Sequence, residues 1–419
     1  MKLKHILISD ATLSMALHMM KALLALLVNW LVLHHFSVGD FVIWSVTSSV
    51  LVVATASDLG IGQYVVTRLI HSDQRHWPSV VGEGLGALLP LSLLAALFVC
   101  LAIGGGGVAY TVAMALFLAL RVTTIPFAAA LNAVNQFKIR KAIEFAAYSL
   151  AALLIGTVIW LNGSIYIALA ALNATFLLAA IATMVAALRY IPNWQRIRPA
   201  PLRRTFEVFH AATPFMANNL TGLLTYGGFI WLSSLILPDA EVAKLAVLHS
   251  FVLMNLYQVY DVLLKARQAD LANKDNLAPY RRLNLLFMCS LPIAFAAFGR
   301  EALSLLSRNV GIGLLDTTLF GVFMSLEMGN LFVQSVAQVT IGQVHRLKIY
   351  ALIRSAMLAA FLIAGAVPLN GHGKLIVLLA GLSLGSFLAF VYLRRTRAEG
   401  RGDHLIEKDK MAENMPVGS

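Results

Sequence analysis

Residues 12–33 read TLSMALHMMKALLALLVNWLVL, an apolar run whose only charged residue is Lys21. An α-helix of this length crosses a hydrocarbon core of about 30 Å. The run is too long for the core of a signal peptide, and no small-residue cleavage site follows it. We therefore predict an uncleaved first membrane span.

Similar apolar segments recur along all 419 residues, 59% of which are hydrophobic and only 12% charged. The charged fraction is half of the roughly 25% found in soluble domains, and the mean hydropathy is +0.79. This composition excludes a soluble protein and predicts an all-α polytopic membrane protein with about twelve spans. The predicted spans are 12–33, 40–58, 80–103, 108–131, 143–161, 166–188, 213–237, 242–264, 283–299, 311–341, 349–368 and 374–393.

The positive charges predict the orientation of these spans. The formal net charge is +12, but no basic run is interleaved with aromatic residues, so we expect no nucleic-acid partner. With the N-terminus in the cytoplasm, 25 of the 32 Lys and Arg residues fall in cytoplasmic segments, four in outer segments and three within spans. By the positive-inside rule, this distribution predicts that both termini are cytoplasmic.

A basic, proline-containing stretch divides the chain after the sixth predicted span. It includes Pro192, Pro199 and Pro201 and is the longest polar segment inside the chain. We therefore predict an N-terminal six-helix lobe (1–191), a basic cytoplasmic linker (192–208), a C-terminal six-helix lobe (209–393) and a cytoplasmic polar tail (394–419).

A faint repeat relates the two predicted lobes. Gln136 and Lys141 after the fourth span correspond, at one constant offset, to Gln343 and Lys348 after the tenth. Two six-helix lobes related by a pseudo-twofold axis are a common transporter plan. The alternative is that two basic helix ends merely resemble each other.

Ionisable side chains inside spans cost about 2.5–3.5 kcal/mol each on insertion scales and usually face a cavity or a partner. We expect Lys21 and Arg121 to line a cavity, although a structural ion pair would also explain Lys21. Arg354 either lines the cavity or extends to the cytoplasmic interface. The full set of predicted cavity residues is Lys21, Arg121, His18, Arg354, Asn218 and Gln258.

Two carboxylates in the second half are candidates for ion coupling. Glu327 lies in the tenth span and Asp261 in the eighth. Each could be a counter-ion for an arginine, a proton or sodium site, or a contact that holds helices together.

Motifs for other chemistry are missing from the sequence. Cys100 and Cys289 both lie in apolar segments and indicate neither a disulfide framework nor a metal site. No set of residues has metal-ligand spacing and no phosphate-binding loop motif occurs, so we expect no cofactor and no ATP hydrolysis.

Two stretches around the second span resemble a known family. Phe36-Ser-Val-Gly-Asp-Phe-Val-Ile-Trp44 enters this span, and Asp58-Leu-Gly-Ile-Gly-Gln-Tyr-Val-Val-Thr-Arg68 follows it. Together they resemble the start of the Wzx-type flippases of O-antigen and exopolysaccharide, in the multidrug/oligosaccharidyl-lipid/polysaccharide exporter superfamily. The resemblance implies a gating role for Asp58 and Arg68 at the cytoplasmic end of span two.

The resemblance also implies a function. Such a flippase moves an oligosaccharide linked to polyprenyl diphosphate from the cytoplasmic to the outer leaflet of the bacterial inner membrane. The implied partners are the anionic lipid-linked oligosaccharide, membrane lipid, a polysaccharide polymerase and a chain-length regulator. We expect a monomer without enzymatic activity.

Two other functions compete with this one. A multidrug or other small-molecule exporter of the same superfamily would need carboxylates in the cavity for cationic drugs. A membrane polysaccharide polymerase would need a substantial outer loop for chemistry, but the longest outer loop predicted here is about 300–310.

Overall fold

Helices make up almost all the regular structure that a computed structural model of the chain describes. The residues it describes are 10–55, 58, 60–103, 105–134, 136–201, 203–212, 228–250, 260, 264, 277–306, 310–339, 352–353 and 357–413. These ranges contain no β-strand, which confirms the predicted all-α class.

The described residues of the first half form eight α-helices. Each of the six predicted spans coincides with one of them, except that the fourth is divided into two consecutive helices. The eight are α1 Asp10–His35, α2 Val38–Thr55, α3 Ile61–His71, α4 Trp77–Ala102, α5 Gly107–Thr123, α6 Ile125–Ala133, α7 Phe137–Trp160 and α8 Ile165–Leu188.

The fourth span divides at Thr124 because Pro126 follows it. Proline has no backbone N–H to continue the helical ladder, but it is well tolerated in the first turn of a new helix. Thr124 ends α5 by donating its backbone N–H and its hydroxyl to the carbonyl of Arg121, at 3.2 and 2.7 Å. Arg121 therefore lies in the last turn of α5, directly before the break.

The sequence prediction did not include α3, which follows the Asp58-Leu-Gly motif. The carboxylate of Asp58 accepts a hydrogen bond from the backbone N–H of Gly60 at 3.2 Å. Gly60 adopts the left-handed conformation (φ 80°) that favours glycine, and α3 begins at the next residue. The motif thus builds the turn between α2 and α3.

The second half contributes six described helices. They are α9 Phe229–Ser234, α10 Asp239–Leu248, α11 Leu277–Leu306, α12 Leu314–Val339, α13 Leu358–Ala366 and α14 Gly371–Glu413. Predicted spans 213–237, 242–264, 311–341 and 349–368 lie partly outside the described residues. The last helix continues beyond residue 393 into the predicted polar tail.

Six described helices are long and apolar enough to cross a membrane, as judged by length and composition. Large apolar side chains cover their outer surfaces. Leu93 and Leu153, for example, are 70% and 69% exposed. A surface of this kind is suited to lipid, since exposed apolar patches of this extent are rare on soluble monomers. The chain is a multi-pass membrane protein, and its orientation stays a prediction.

Helix packing produces two lobes. In the first, α1 packs against α7, α7 against α8 and α4 against α5, while in the second α12 packs against both α11 and α14. Much of the described contact between the lobes runs through α2, which packs against α9 and α10. At this contact, the backbone N–H of Trp231 donates to the hydroxyl of Ser49 at 3.1 Å.

Candidate functional site

A cavity of about 210 Å³ lies where the two lobes meet. Below it is called the interlobe cavity. The first lobe supplies most of its walls, through α1, α2, α5, α7 and α8, and the second lobe contributes through α9 and the end of α10. Its charged and polar lining consists of Lys21, Asn29, Ser45, Ser48, Ser49, Arg121, Asn173, His249 and Ser250, and its aromatic lining of Trp44, Tyr148 and Phe176.

The side chain of Lys21 extends into this cavity from the middle of α1 and forms an ion pair with a carboxylate on α7. Its ammonium nitrogen lies 3.1 Å from Oε2 of Glu144 and 5.1 Å from the ring centroid of Tyr148. The pairing follows from the close packing of α1 on α7, which places the two side chains opposite each other. Lys21 therefore both lines the cavity and takes part in an ion pair.

Glu144 binds three cations at once. Besides Lys21, it accepts hydrogen bonds from Nε of Arg140 at 3.0 Å and from Nζ of Lys141 at 2.9 Å. These two residues precede it by four and three positions, the spacing that places side chains on one helical face. Sequence reasoning missed Glu144, although this spacing on a predicted span was a readable signal.

Arg121 extends into the cavity from the last turn of α5. Its guanidinium carbon lies 5.0 Å from the ring centroid of Phe176, a cation–π distance. No carboxylate among the described residues lies within 4 Å of this guanidinium. Arg121 differs in this respect from Lys21, which is paired.

The interlobe cavity consequently has a positive character. Its described lining contains two cations, Lys21 and Arg121, and no carboxylate. With Glu144 and its partners Arg140 and Lys141 included, this region contains four cations and one carboxylate, an excess of three positive charges. Such an arrangement attracts an anion, and low local dielectric strengthens the attraction.

The polar part of the lining is partly committed to other contacts. Nε1 of Trp44 donates to Oδ1 of Asn29 at 3.0 Å, and the ring of His249 stacks on Phe229 with centroids 5.6 Å apart. The hydroxyl of Ser45 is buried and has no hydrogen-bond partner within the described structure.

The other residues predicted from the sequence fall into two groups. Some lie elsewhere in the structure, and the rest lie outside the described residues. Glu327 on α12 is buried in the second lobe, where its carboxylate accepts a hydrogen bond from the hydroxyl of Ser386 on α14. His18 belongs to α1, but its side chain is outside the described part. Arg354, Asn218, Gln258 and Asp261 also lie outside the described residues.

Arg68 belongs to a separate network around Glu83, a buried carboxylate near the start of α4. Nη2 of Arg68 lies 3.9 Å from Glu83, and Nε of Arg204, from the linker, lies 3.2 Å from it. The hydroxyl of Tyr64 donates to the same carboxylate at 3.3 Å. Burial of Tyr64 is the main cause that raises its pKa, and the negative charge of Glu83 raises this pKa further. The network joins α3, α4 and the linker, and a gating role for Arg68 and Asp58 stays a prediction.

Comparisons with known proteins give one kind of match. No family model matches the chain, and no curated protein matches it. Among solved structures, the chain is similar to the inward-facing conformation of a multidrug resistance MATE family transporter of the MOP superfamily. The TM-score is 0.63 at 13% identity, over 93% of this chain and 99% of that one.

Two further structures show the same likeness. A eukaryotic MATE transporter gives a TM-score of 0.60 at 16% identity, over 93% of this chain and 94% of that one. An outward-facing conformation of a multidrug resistance MATE family transporter gives 0.54 at 13% identity, over 93% and 96%. At these identities, the similarity establishes that the chain has the two-lobed fold of these transporters.

Proposed function

We propose that this chain is a flippase that carries an anionic lipid-linked oligosaccharide across the membrane by alternating access. Its cargo would be an oligosaccharide on a polyprenyl diphosphate, moved from the cytoplasmic to the outer leaflet. The observation that carries the proposal is the cation-lined interlobe cavity, in which Lys21 and Arg121 face the same space. The two-lobed fold supports transport, since rocking of one lobe against the other would expose the cavity to each side in turn.

The charge of the cavity suits a diphosphate. An ionised phosphate taken from water into an apolar medium loses hydration that is costly to replace. Arg121 offers a planar guanidinium that can bind phosphate oxygens in a bidentate manner. Lys21 adds a second positive charge to the same lining.

The size of the cavity limits what it can hold at once. Its volume of about 210 Å³ lies below the range of roughly 300–1,000 Å³ typical of drug-sized ligand pockets. A whole lipid-linked oligosaccharide does not fit in this conformation. In our proposal the cavity binds the phosphate end, the lobes separate to admit the sugars, and the polyprenyl chain stays in lipid.

A second candidate is a multidrug exporter, because the similar structures are described as multidrug resistance transporters. Three aromatic rings in the lining, those of Trp44, Tyr148 and Phe176, would suit an apolar drug. A cationic drug would need a free carboxylate, and Glu144 is already bound by three cations. The fold accommodates both functions, and the charge of the cavity favours the anionic cargo.

In this proposal the chain works in the inner membrane of a bacterium. It would deliver its cargo to a polysaccharide polymerase and a chain-length regulator at the outer leaflet. The driving energy would come from an ion gradient or the membrane potential, which supplies about 2.3 kcal/mol per charge per 100 mV.

The test is a comparison of cargoes in vesicles that contain the purified chain. One set carries a fluorescent oligosaccharide on polyprenyl diphosphate, and a second set carries a cationic dye. We expect translocation of the glycolipid above the level of protein-free vesicles, and no protein-dependent movement of the dye. Movement of the dye alone would replace the flippase proposal with the exporter.

A further inference from the structure

A second and larger cavity, of about 530 Å³, lies between the start of α4 and the linker. Below it is called the linker cavity. It shares no lining residue with the interlobe cavity. One wall is the segment around Arg75 and the first turns of α4. The other is formed by linker residues Asn193, Arg196, 198–201 and Arg204. Our orientation prediction places it at the cytoplasmic surface of the membrane.

The linker wall is fixed by direct backbone contact with α4. The backbone N–H of Ala200 donates to the carbonyl of Gly82 at 3.0 Å. A Cβ atom at Gly82 would come within 2.2 Å of the carbonyl oxygen of Arg198, so only glycine permits this approach. Pro199 and Pro201 restrict the backbone on either side of the contact. The linker backbone from Arg198 to Pro201 is therefore held against α4 before any ligand arrives.

The linker cavity has an excess of positive charge. Arg75, Arg196 and Arg198 line it, and none has a carboxylate within 4 Å among the described residues. Its one described carboxylate, Glu83, is already engaged by Arg204 at 3.2 Å. Four arginines and one glutamate leave an excess of three positive charges in the lining.

The surroundings place this charge at the level of lipid headgroups. The apolar body of α4 follows directly after the cavity wall, within a candidate membrane span that begins at Gln74. Trp194, one residue from the lining Asn193, is 49% exposed. Tryptophan is enriched at the membrane–water interface, and basic residues there are attracted to anionic lipids.

We propose that the linker cavity binds the phosphate headgroup of an anionic phospholipid of the cytoplasmic leaflet, with Arg75, Arg196 and Arg198 as its ligands. Bound lipid would bridge the start of α4 and the linker, and would hold the linker against the first lobe. The phosphate of a lipid-linked cargo has similar chemistry, so the test must separate these two sources. The proposal is independent of the cargo of the interlobe cavity.

The experiment measures binding of a fluorescent phosphatidylglycerol to the purified full-length chain in a neutral detergent. Unlabelled phosphatidylglycerol, phosphatidylcholine and polyprenyl diphosphate serve as competitors. We expect competition by phosphatidylglycerol and none by phosphatidylcholine. Equal competition by phosphatidylcholine, or displacement of the probe by polyprenyl diphosphate but not by phosphatidylglycerol, would overturn the assignment to an anionic phospholipid.

Matched variants locate the site. Arg196→Ala with Arg198→Ala should weaken binding of the probe by about tenfold or more, since each removes a charge-assisted contact to phosphate. Arg189→Ala with Arg203→Ala makes the same charge change at exposed residues outside the lining and should leave binding within about twofold of the parent chain.

A variant of the opposite wall guards against a folding artefact. Arg75→Ala alters a different element and should also weaken binding while the chain remains monodisperse. If the lining and control double variants bind the probe equally, or if Arg75→Ala binds it as the parent chain does, the proposal is wrong.

Discussion

The ammonium of Lys21 lies 3.1 Å from the carboxylate of Glu144, an ion pair that joins the first helix to the seventh. The side chains are 18% and 20% exposed, so neither charge is fully hydrated. Two more cations on the seventh helix, Arg140 and Lys141, share the same carboxylate. Glu144 is thus the one acidic group that balances the positive side of the interlobe cavity within the described structure.

We predict that Glu144→Gln destabilises the chain by about 1–3 kcal/mol, between the values typical of exposed and of buried pairs. The reason is that three cations lose their shared partner. The measurement is unfolding in detergent of Glu144→Gln, Lys21→Met and the double variant, analysed as a double-mutant cycle. The double variant should be destabilised by less than the sum of the two single variants. The reason is that Lys21→Met removes one of the cations that Glu144→Gln leaves without a partner. Strictly additive effects would show that the 3.1 Å contact contributes no coupling.

We also predict that Gly82→Ala loosens the linker. The added Cβ would meet the carbonyl oxygen of Arg198 at 2.2 Å, and overpacking of this kind costs about 1–3 kcal/mol. Gly156→Ala is the matched control, because a Cβ there meets nothing within 4 Å. It should be neutral or stabilising by up to about 1 kcal/mol, since alanine favours a helix over glycine.

The readout for this pair is thermal unfolding together with proteolysis of the linker. Gly82→Ala should lower the unfolding temperature and speed cleavage between residues 192 and 208, whereas Gly156→Ala should do neither. Equal behaviour of the two variants would contradict the close backbone contact between linker and α4.

A third prediction concerns orientation. In a background with Cys100→Ser and Cys289→Ser, a single cysteine replaces either Gln195, in the linker, or Ser164, between α7 and α8. Both positions are exposed. A membrane-impermeant thiol reagent applied to intact cells should label Ser164→Cys and not Gln195→Cys, because the positive-inside rule places the linker in the cytoplasm. The reverse pattern would invert the predicted topology.

The length of the apolar segments predicted the helices of the first lobe closely, since each span is a long apolar block bounded by polar residues. Helix α3 escaped prediction because its 11 residues are too few and too polar to read as a span. The break at Thr124 also escaped, although Pro126 marks it in the sequence. Both features are shorter than a membrane span, so a search for apolar segments of span length does not detect them.

The site was only partly readable for a different reason. The cost of burying a charge singled out Lys21 and Arg121 individually, and the structure places both at one cavity. Glu144 was overlooked because it lies at the very start of its predicted span, and its role depends on how α1 packs against α7. The approach of the linker to Gly82 likewise rests on a backbone contact between distant segments, which no local pattern encodes.

The most direct test of the proposed anionic cargo is the rate at which vesicles containing Arg121→Gln translocate an oligosaccharide linked to polyprenyl diphosphate. Loss of one charge-assisted contact should slow translocation by about tenfold to hundredfold, corresponding to about 1.5–3 kcal/mol. The exposed control Arg203→Gln should translocate at the rate of the parent chain, and both variants should remain folded. An unchanged rate in a folded Arg121→Gln variant would contradict the account of an anion-binding interlobe cavity.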